Sequence, residues 1–355
     1  MVFLLSKTSF KLGNLIFLVL SLPFVLFVGF RGGTPDTQIY YNVLANIDKL
    51  DLLNPFVFYQ QTGMEIGFGW YAWAISLFTS SNVLLFSIFS ILNFYFLYKS
   101  SRLLKVNYLF VLVFYLPSAY FFLQQLMQMR QGLAIAITLY AIVRFIYKRE
   151  LLVSFLLFVV GFLFHQTALF LLVFSVFFYF ADSFSKRSRI DFFLLNFFFL
   201  VVFIIFFKFF LLDFLIGLSP RLQAYASSDN FSSSVSVINP QVIKTILIIF
   251  FVGLCAGPAL RRKKAYRYFL YLEFLSLAIR IGFSDFAIMS GRLSTVFSHA
   301  EVFILPLVFR DRIGAVAKLF ILPAYIALQS VITLQMQAPY LLEFYSKPLS
   351  LMKNV

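Results

Sequence analysis

Residues 192–216 read FFLLNFFFLVVFIIFFKFFLLDFLI, and this segment decides the fold class of the chain. Only Asn196, Lys208 and Asp213 interrupt 25 residues of large apolar side chains. A helix needs about 20 such residues to cross the hydrocarbon core of a bilayer. The segment is therefore predicted to form a transmembrane helix.

Similar apolar runs lie on both sides of this segment and fill most of the chain. Hydrophobic residues make up 62% of the 355 residues and charged residues 12%, whereas soluble domains have about 45–50% and about 25%. This composition excludes a water-soluble enzyme, a disordered protein and a nucleic-acid-binding protein. The predicted fold class is all-α, a polytopic integral membrane protein with about 11 transmembrane helices. The apolar runs lie at 12–30, 83–98, 106–122, 131–147, 151–164, 167–181, 192–216, 241–260, 266–283, 293–309 and 316–335.

Two segments depart from this simple pattern. The stretch 66–80 is short and rich in glycine, so we expect a half-helix or an interfacial helix there rather than a full crossing. The run 151–181 is expected to form two short helices that turn near His165, although a single tilted helix also fits its apolar pattern.

The basic residues predict how the chain is oriented. Of the 29 Lys and Arg residues, 19 lie in alternate connections and seven in the connections on the other side. The positive-inside rule places the richer side, with the N-terminus, in the cytoplasm. The loops at about 31–65 and 217–240 are then periplasmic, and residues 1–355 form a single membrane domain. The 19 are Lys7, Lys11, Lys99, Arg102, Lys105, Arg144, Lys148, Arg149, Lys186, Arg187, Arg189, Arg261, Arg262, Lys263, Lys264, Arg267, Arg310, Arg312 and Lys318.

Few residues of the chain are suited to binding a transition metal. There is one cysteine, Cys255, and there are two histidines, His165 and His299. Their spacing matches no metal-ligand motif. We therefore expect neither a metal site nor a cofactor.

Arg130 and Arg292 are the strongest candidates for binding an anion. Each is predicted to begin an outer helix, where backbone N–H groups and a guanidinium together suit a phosphate group. Gln124, Gln125 and Gln128 supply further donors near Arg130. The alternative for Arg130 is a side chain that reaches up to the lipid head groups.

The carboxylates and the histidine on the outer side are candidates for acid–base chemistry. Asp36 and Glu65 could each act as a general base toward a hydroxyl or be merely solvated. Glu65 is the stronger candidate, because it directly precedes the apolar stretch 66–78, and a hydrogen bond that anchors the loop is its alternative role. His165 is either a base, a hydrogen-bond donor to sugar or phosphate, or a structural hydrogen-bonding group. Glu301 lies in an apolar run and is expected to face inward, with a cation such as Arg280 as one partner.

Taken together, several cations and an isolated base on one face suit glycosyl transfer from a lipid-linked pyrophosphate. The cations would hold the leaving group while the base activates an acceptor hydroxyl.

Five short motifs, in this order along the chain, resemble the EpsG family of Wzy-like polymerases, which make bacterial surface polysaccharide. They are Tyr40–Tyr41 after Asp36, Glu65-Ile66-Gly67-Phe68, Arg130-Gln131-Gly132-Leu133-Ala134, His165-Gln166-Thr167-Ala168-Leu169 and Arg292-Leu293-Ser294. The segment Pro220-Arg221-Leu222 with Tyr225 matches the Arg-x-x-x-Tyr of the family.

The resemblance implies a metal-independent glycosyltransferase with a GT-C-like fold in the inner membrane of a bacterium. It would join undecaprenyl-pyrophosphate-linked oligosaccharide repeat units into O-antigen or capsule-type polymer at the periplasmic face. Lipid-linked oligosaccharides and membrane lipids would be its partners, and a chain-length regulator is a further candidate; no nucleic acid is expected.

The residues that match the family's motifs receive candidate roles from their own chemistry. Glu65 is the candidate base, His165 a hydrogen-bond donor, and Asp36 the next candidate base. The candidate ligands of the pyrophosphate and substrate are Arg130, Gln131, Arg221, Tyr225 and Arg292.

Three other activities were weighed against a polymerase. A flippase for the same lipid-linked units should show two homologous bundles, and no internal repeat is visible in the sequence. A membrane acyltransferase should carry an early cytoplasmic histidine, and neither histidine fits. An O-antigen ligase uses similar chemistry, and only the EpsG-like motifs of this sequence favour a polymerase over a ligase.

Overall fold

The computed structural model describes residues 2–34, 36–208, 236–311, 313–337 and 339–347. Within these ranges every regular element is a helix, which agrees with the predicted all-α class. The helices form two compact units, Met1–Phe170 with Ile321–Val355, and Leu171–Phe320. Arg221, Tyr225 and most of the predicted loop 217–240 lie outside the described residues.

The first unit contains the amino-terminal helices and the end of the chain. Its helix α8 is central, and α5, α7 and α9 pack against it. The helices are α1 (Val2–Gly29), α2 (Thr37–Ala45), α3 (Pro55–Thr62), α4 (Ile66–Ser76), α5 (Asn82–Leu104), α6 (Tyr108–Tyr115), α7 (Ala119–Leu126), α8 (Met129–Lys148), α9 (Leu151–Phe164), the start of α10 (Thr167–Ser188), the end of α17 (Ala315–Val331) and α18 (Pro339–Tyr345), with a 3₁₀ turn at Ile47–Lys49 and a π turn at Ile332–Gln337.

The second unit contains the rest of α10 and the start of α17. Its helix α14 is central, and α11, α12, α15 and α16 pack against it. The other helices are α11 (Phe192–Phe206), α12 (Pro240–Cys255), α13 (Pro258–Arg261), α14 (Lys264–Gly282), α15 (Ala287–Ser298) and α16 (Glu301–Asp311).

Several of these helices are long and apolar enough to cross a membrane. Among the described residues five qualify by length and composition, and a sixth span is reached if the bent pair α6–α7 counts as one. Four shorter apolar helices accompany them, at Leu15–Gly29, Leu151–Phe164, Phe192–Phe206 and Pro240–Cys255. The chain is therefore a polytopic membrane protein, while the count of about 11 crossings remains a prediction.

The break between α6 and α7 was not foreseen. The sequence predicted one run over 106–122, but the two helices meet at an angle of 78°. Pro117 lies at the bend. Proline lacks an N–H group and disfavours helical geometry at the residue before it, so a continuous helix is interrupted there.

Of two expectations about helix length, one is confirmed and the other is confirmed only in part. Helix α4 has 11 residues, which is only about 16 Å at 1.5 Å per residue and too short to span a bilayer. The run 151–181 is broken at His165 and Gln166 as expected. Only α9 is short, with 14 residues, whereas α10 has 22 residues and continues to Ser188.

Cysteine labelling of intact spheroplasts tests the predicted orientation. In a Cys255→Ser background, Arg187→Cys and Lys263→Cys should resist an impermeant maleimide, because the positive-inside rule places both in the cytoplasm. Leu53→Cys is the matched control and should react, since Leu53 is 95% exposed and lies in the predicted periplasmic segment. Labelling at 187 or 263 before lysis would show that the predicted orientation is wrong.

Candidate active site

An ion pair between Glu65 and Arg130 joins two of the predicted motifs in the first unit. Glu65 directly precedes α4, and Arg130 is the second residue of α8. Arg130 Nη1 donates to Glu65 Oε2, and each side chain is less than one-fifth exposed. The other carboxylate oxygen, Oε1, accepts a hydrogen bond from the backbone N–H of Gln166 at 3.3 Å. Three segments that are far apart in sequence therefore meet at one carboxylate.

His165 lies beside this junction, between α9 and α10. Its Nδ1 accepts a hydrogen bond from the backbone N–H of Thr167 at 3.2 Å and lies 3.1 Å from the Thr167 hydroxyl. A neutral ring whose Nδ1 accepts carries its proton on Nε2. His165 in this tautomer can donate a hydrogen bond through Nε2, so its predicted role as a donor to phosphate or sugar stays a prediction.

Tyr40 and Asp36 add an aromatic ring and a second carboxyl group near Arg130. The guanidinium carbon of Arg130 lies 5.8 Å from the centroid of the Tyr40 ring, and the two side chains are hydrogen-bonded. Burial raises the pKa of Tyr40, so the phenol stays protonated and donates to the carbonyl of Met127 at 3.1 Å. Asp36 directly precedes α2, with a φ of 66°, and contributes negative charge that favours the charged form of Arg130.

A row of backbone carbonyls at the end of α7 fixes where α8 begins. Arg31 Nη1 donates to the carbonyl of Gln125 at 2.8 Å, and the Thr34 hydroxyl donates to the next carbonyl, that of Leu126, at 2.8 Å. The Tyr40 hydroxyl donates to the third carbonyl, that of Met127. Helix ends leave such carbonyls without intrahelical partners, so these side chains stabilise the turn that presents Arg130.

Arg31 was missed as a site residue by sequence reasoning. Its side chain is buried, and its guanidinium lies 3.5 Å from the centroid of the Phe86 ring. The sequence showed only an outer cation after the first apolar run. Nothing in its local pattern indicated that it reaches the end of a helix 94 residues away in the chain.

The glutamines near Arg130 have structural roles that were not expected. Gln124 and Gln125 are buried, and Gln125 Nε2 donates to the hydroxyl of Tyr115 at 2.9 Å. Gln131 is likewise buried within α8. A methyl group at Gly132 would lie 2.8 Å from Cβ of Gln124, so this glycine permits the close approach of α7 to α8.

Gly67 permits the close contact of α4 with the end of α9, and its replacement tests this contact. A Cβ there would lie 2.5 Å from the carbonyl oxygen of Leu163 and 2.7 Å from the carbonyl carbon. Because both atoms are backbone, Gly67→Ala must push the two helices apart, at a cost of about 1–3 kcal/mol. We expect a lower midpoint of thermal unfolding in detergent and a weaker product ladder. Gly314→Ala is the control, since its Cβ would meet no atom within 4 Å; equal midpoints for the two variants would contradict the contact.

Arg292 belongs to the second unit and differs from its predicted setting. Helix α15 begins at Ala287, so Arg292 is its sixth residue and does not begin the helix as expected. Arg292 therefore does not lie in the first turn, where the free backbone N–H groups of the helix are found. Its side chain is exposed.

A buried charged cluster in the second unit was only partly foreseen. Glu301 faces inward as predicted, but its oxygen Oε2 pairs with Lys244 Nζ at 2.8 Å, and Arg280 is not the partner at this atom. Glu273 is buried beside it and accepts a hydrogen bond from the backbone of Glu301. His299 is fully buried between α15 and α16. Among the described residues there is no group of three or more His, Cys, Asp or Glu that could hold a metal ion.

These features define the chain as a multi-helix integral membrane protein in which a carboxylate and an arginine form an ion pair next to the turn at His165 and Gln166. Its sequence matches the model of the EpsG family over residues 14–346, which is nearly the whole chain. The protein belongs to the EpsG family, a family of Wzy-like polymerases. No curated protein and no solved structure matches the chain.

Proposed function

We propose that this protein is a polymerase of lipid-linked oligosaccharide repeat units. It joins undecaprenyl-pyrophosphate-linked units into O-antigen or capsule-type polysaccharide at the periplasmic face of a bacterial inner membrane. The observation that carries the proposal is the meeting of Glu65, Arg130 and the His165–Gln166 turn within one unit of an EpsG-family chain.

In the proposed step the acceptor hydroxyl oxygen bonds to the anomeric carbon of the donor. The bond from that carbon to the pyrophosphate oxygen breaks, and its electron pair leaves with the lipid pyrophosphate. The hydroxyl proton passes to Glu65, which acts as the general base. Arg130 stabilises the charge that develops on the leaving group, and His165 donates a hydrogen bond from Nε2 to phosphate or sugar.

The ion pair gives this proposal a definite order of events. Both oxygens of Glu65 are engaged, one by Arg130 and one by the N–H of Gln166. An acceptor hydroxyl must therefore compete with these two donors for the carboxylate. We propose that the donor pyrophosphate takes the guanidinium of Arg130 for itself, which releases Glu65 toward the acceptor hydroxyl. The enzyme would then acquire its base only when the donor is bound.

The remaining predicted residues keep more distant roles in this proposal. Asp36 is the next candidate base, and Gln131 lies one residue from Arg130 along α8. Arg292, Arg221 and Tyr225 remain predicted ligands of the substrate, and a chain-length regulator remains a candidate partner.

Isosteric changes at the two acid–base candidates test the mechanism. With purified lipid-linked units, Glu65→Gln should lower the rate of polymerisation by about 10²–10⁴-fold, the usual contribution of a general base. His165→Gln should retain more activity, since glutamine still donates a hydrogen bond. Asp48→Asn is the control, because Asp48 is an exposed carboxylate of the same outer segment, and it should be neutral. An inactive His165→Gln with an active Glu65→Gln would reverse the roles, and two active variants would make Asp36 the next candidate.

A gel of surface polysaccharide from a deletion strain separates the polymerase from its alternatives. Loss of a polymerase should leave single repeat units on the lipid core and remove the ladder. Loss of a flippase or an O-antigen ligase should remove the units altogether. That second pattern would contradict the proposed function.

A further inference from the structure

A cavity of about 650 Å³ in the second unit carries a concentration of positive charge. It lies where α10 ends and α11 begins, next to the end of α12 and the start of α14. All of its lining residues fall within Leu171–Phe320, so it shares no residue with the Glu65–Arg130 junction. The charged side chains that line it are Lys186, Arg189, Arg261, Arg262, Arg267 and Asp191.

Only part of this charge is balanced by carboxylates. Buried Asp182 pairs with Arg267 at 2.6 Å and with Lys186 at 2.7 Å. Asp191 accepts hydrogen bonds from the first amides of α11, at 2.8 and 3.3 Å. Arg261 donates to a backbone carbonyl, that of Ala256, at 2.9 Å. These contacts leave a net positive charge at the cavity.

Arg189 and Arg262 are the two cations best placed to take a ligand. Both are exposed, and no carboxylate lies within 4.0 Å of either one among the residues that the structure describes. A guanidinium presents a planar fork of donors that fits two phosphate oxygens. The pair therefore suits a phosphate group.

The remaining wall of the cavity is apolar and faces outward. Leu194, Phe250 and Leu254 line it, and they are 63%, 51% and 78% exposed. In a membrane protein such a surface contacts acyl chains. A ligand that satisfies both walls is amphiphilic, with an anionic head and a hydrocarbon tail. Basic pockets between transmembrane helices bind lipid head groups in this way.

We propose that this cavity binds an anionic phospholipid. The phosphodiester head group contacts the guanidinium groups of Arg189 and Arg262, and an acyl chain lies along Phe250 and Leu254. None of its lining residues is assigned to the proposed polymerase site, so the proposal can be tested independently of that function.

Binding of dioleoyl phosphatidylglycerol to the purified full-length protein tests the proposal. Native mass spectrometry in detergent should show a tightly bound lipid on the parent, and Arg189→Asn/Arg262→Gln should bind it at least about tenfold more weakly, a loss of about 1.4 kcal/mol. The matched control is Lys105→Asn/Arg102→Gln, which removes the same charge from the first unit. Lys105 and Arg189 both have left-handed backbones, with φ of 56° and 57°, so asparagine suits either position. Equal binding by the parent and the cavity variant would overturn the proposal.

Two further probes identify what the cavity recognises. Dioleoyl phosphatidylcholine has the same chains without net charge and should bind at least tenfold more weakly than phosphatidylglycerol. Leu254→Asn changes an exposed side chain and should weaken binding of phosphatidylglycerol but not of inorganic phosphate. Equal binding of the two lipids would overturn the role of the arginines. Inorganic phosphate that binds as tightly as the lipid would show that the site takes free phosphate instead.

Discussion

Replacing Arg130 with alanine should abolish polymer while leaving a folded protein in the membrane. The leaving group would lose the cation proposed to stabilise it, and Glu65 would lose its ion-pair partner. Removal of one contact to a developing oxyanion costs roughly 3–4 kcal/mol, which is about a hundredfold or more in rate. Arg130→Lys should recover little, because an ammonium cannot reproduce a bidentate fork. The ladder on a polysaccharide gel and the rate with purified lipid-linked units are the measurements.

Two companion variants make the Arg130 result specific. Lys49→Ala removes an exposed cation from the predicted periplasmic loop 31–65 and should keep the full ladder. The exchange Glu65→Arg/Arg130→Glu retains an ion pair of reversed polarity, so it should restore thermal stability but not polymerisation. A full ladder from the exchanged protein, or from Arg130→Lys, would show that only the packing of an ion pair matters there. Arg292→Ala is also expected to abolish polymer, and that expectation rests on its motif.

Replacing Lys244 with methionine should strongly destabilise the second unit. Lys244 is the cation paired with Glu301, and Glu301 and Glu273 are both almost completely buried. Removing one partner of a buried pair leaves an uncompensated charge, which costs about 3–5 kcal/mol. The midpoint of thermal unfolding in detergent should fall by several degrees.

A double variant that also removes the carboxylate of Glu301 is the control for this effect. Lys244→Met/Glu301→Gln removes both charges of the pair, so it should recover most of the lost stability, because no unpaired ion is left at that position. Lys244→Arg should stay close to the parent. An unchanged unfolding midpoint for Lys244→Met would mean that the buried charges are neutralised by another group.

Local composition was sufficient to predict much of the fold. The apolar runs identified the helices because a membrane span must bury about 20 consecutive apolar residues, whatever its neighbours are. Glycine and polar residues marked the short helix α4 and the break at His165. The bend at Pro117 was also encoded locally, but a long apolar run hid it.

Three residues at or beside the junction were named from the sequence, but their connections could not be predicted. Glu65, Arg130 and His165 were named from short motifs. Their ion pair and hydrogen bonds depend on contacts between positions 65 and 101 residues apart. The same holds for Lys244, which looked like an isolated lysine in an apolar run until its contact with Glu301, 57 residues away, was seen.

Short motifs and apolar runs were enough to predict a multi-helix membrane protein of the EpsG family, and they located the charged residues that lie in apolar surroundings. Three features depend on the packing of the helices: the pairing of Arg130 with Glu65, the contacts of Arg31 and Tyr40 with the end of α7, and the position of Arg292 within its helix. The difference follows from the range of the forces involved. Burial of apolar side chains depends on composition within one helix, whereas a charge in a poorly hydrated interior is satisfied by whichever partner the packing of distant helices brings within a few ångströms.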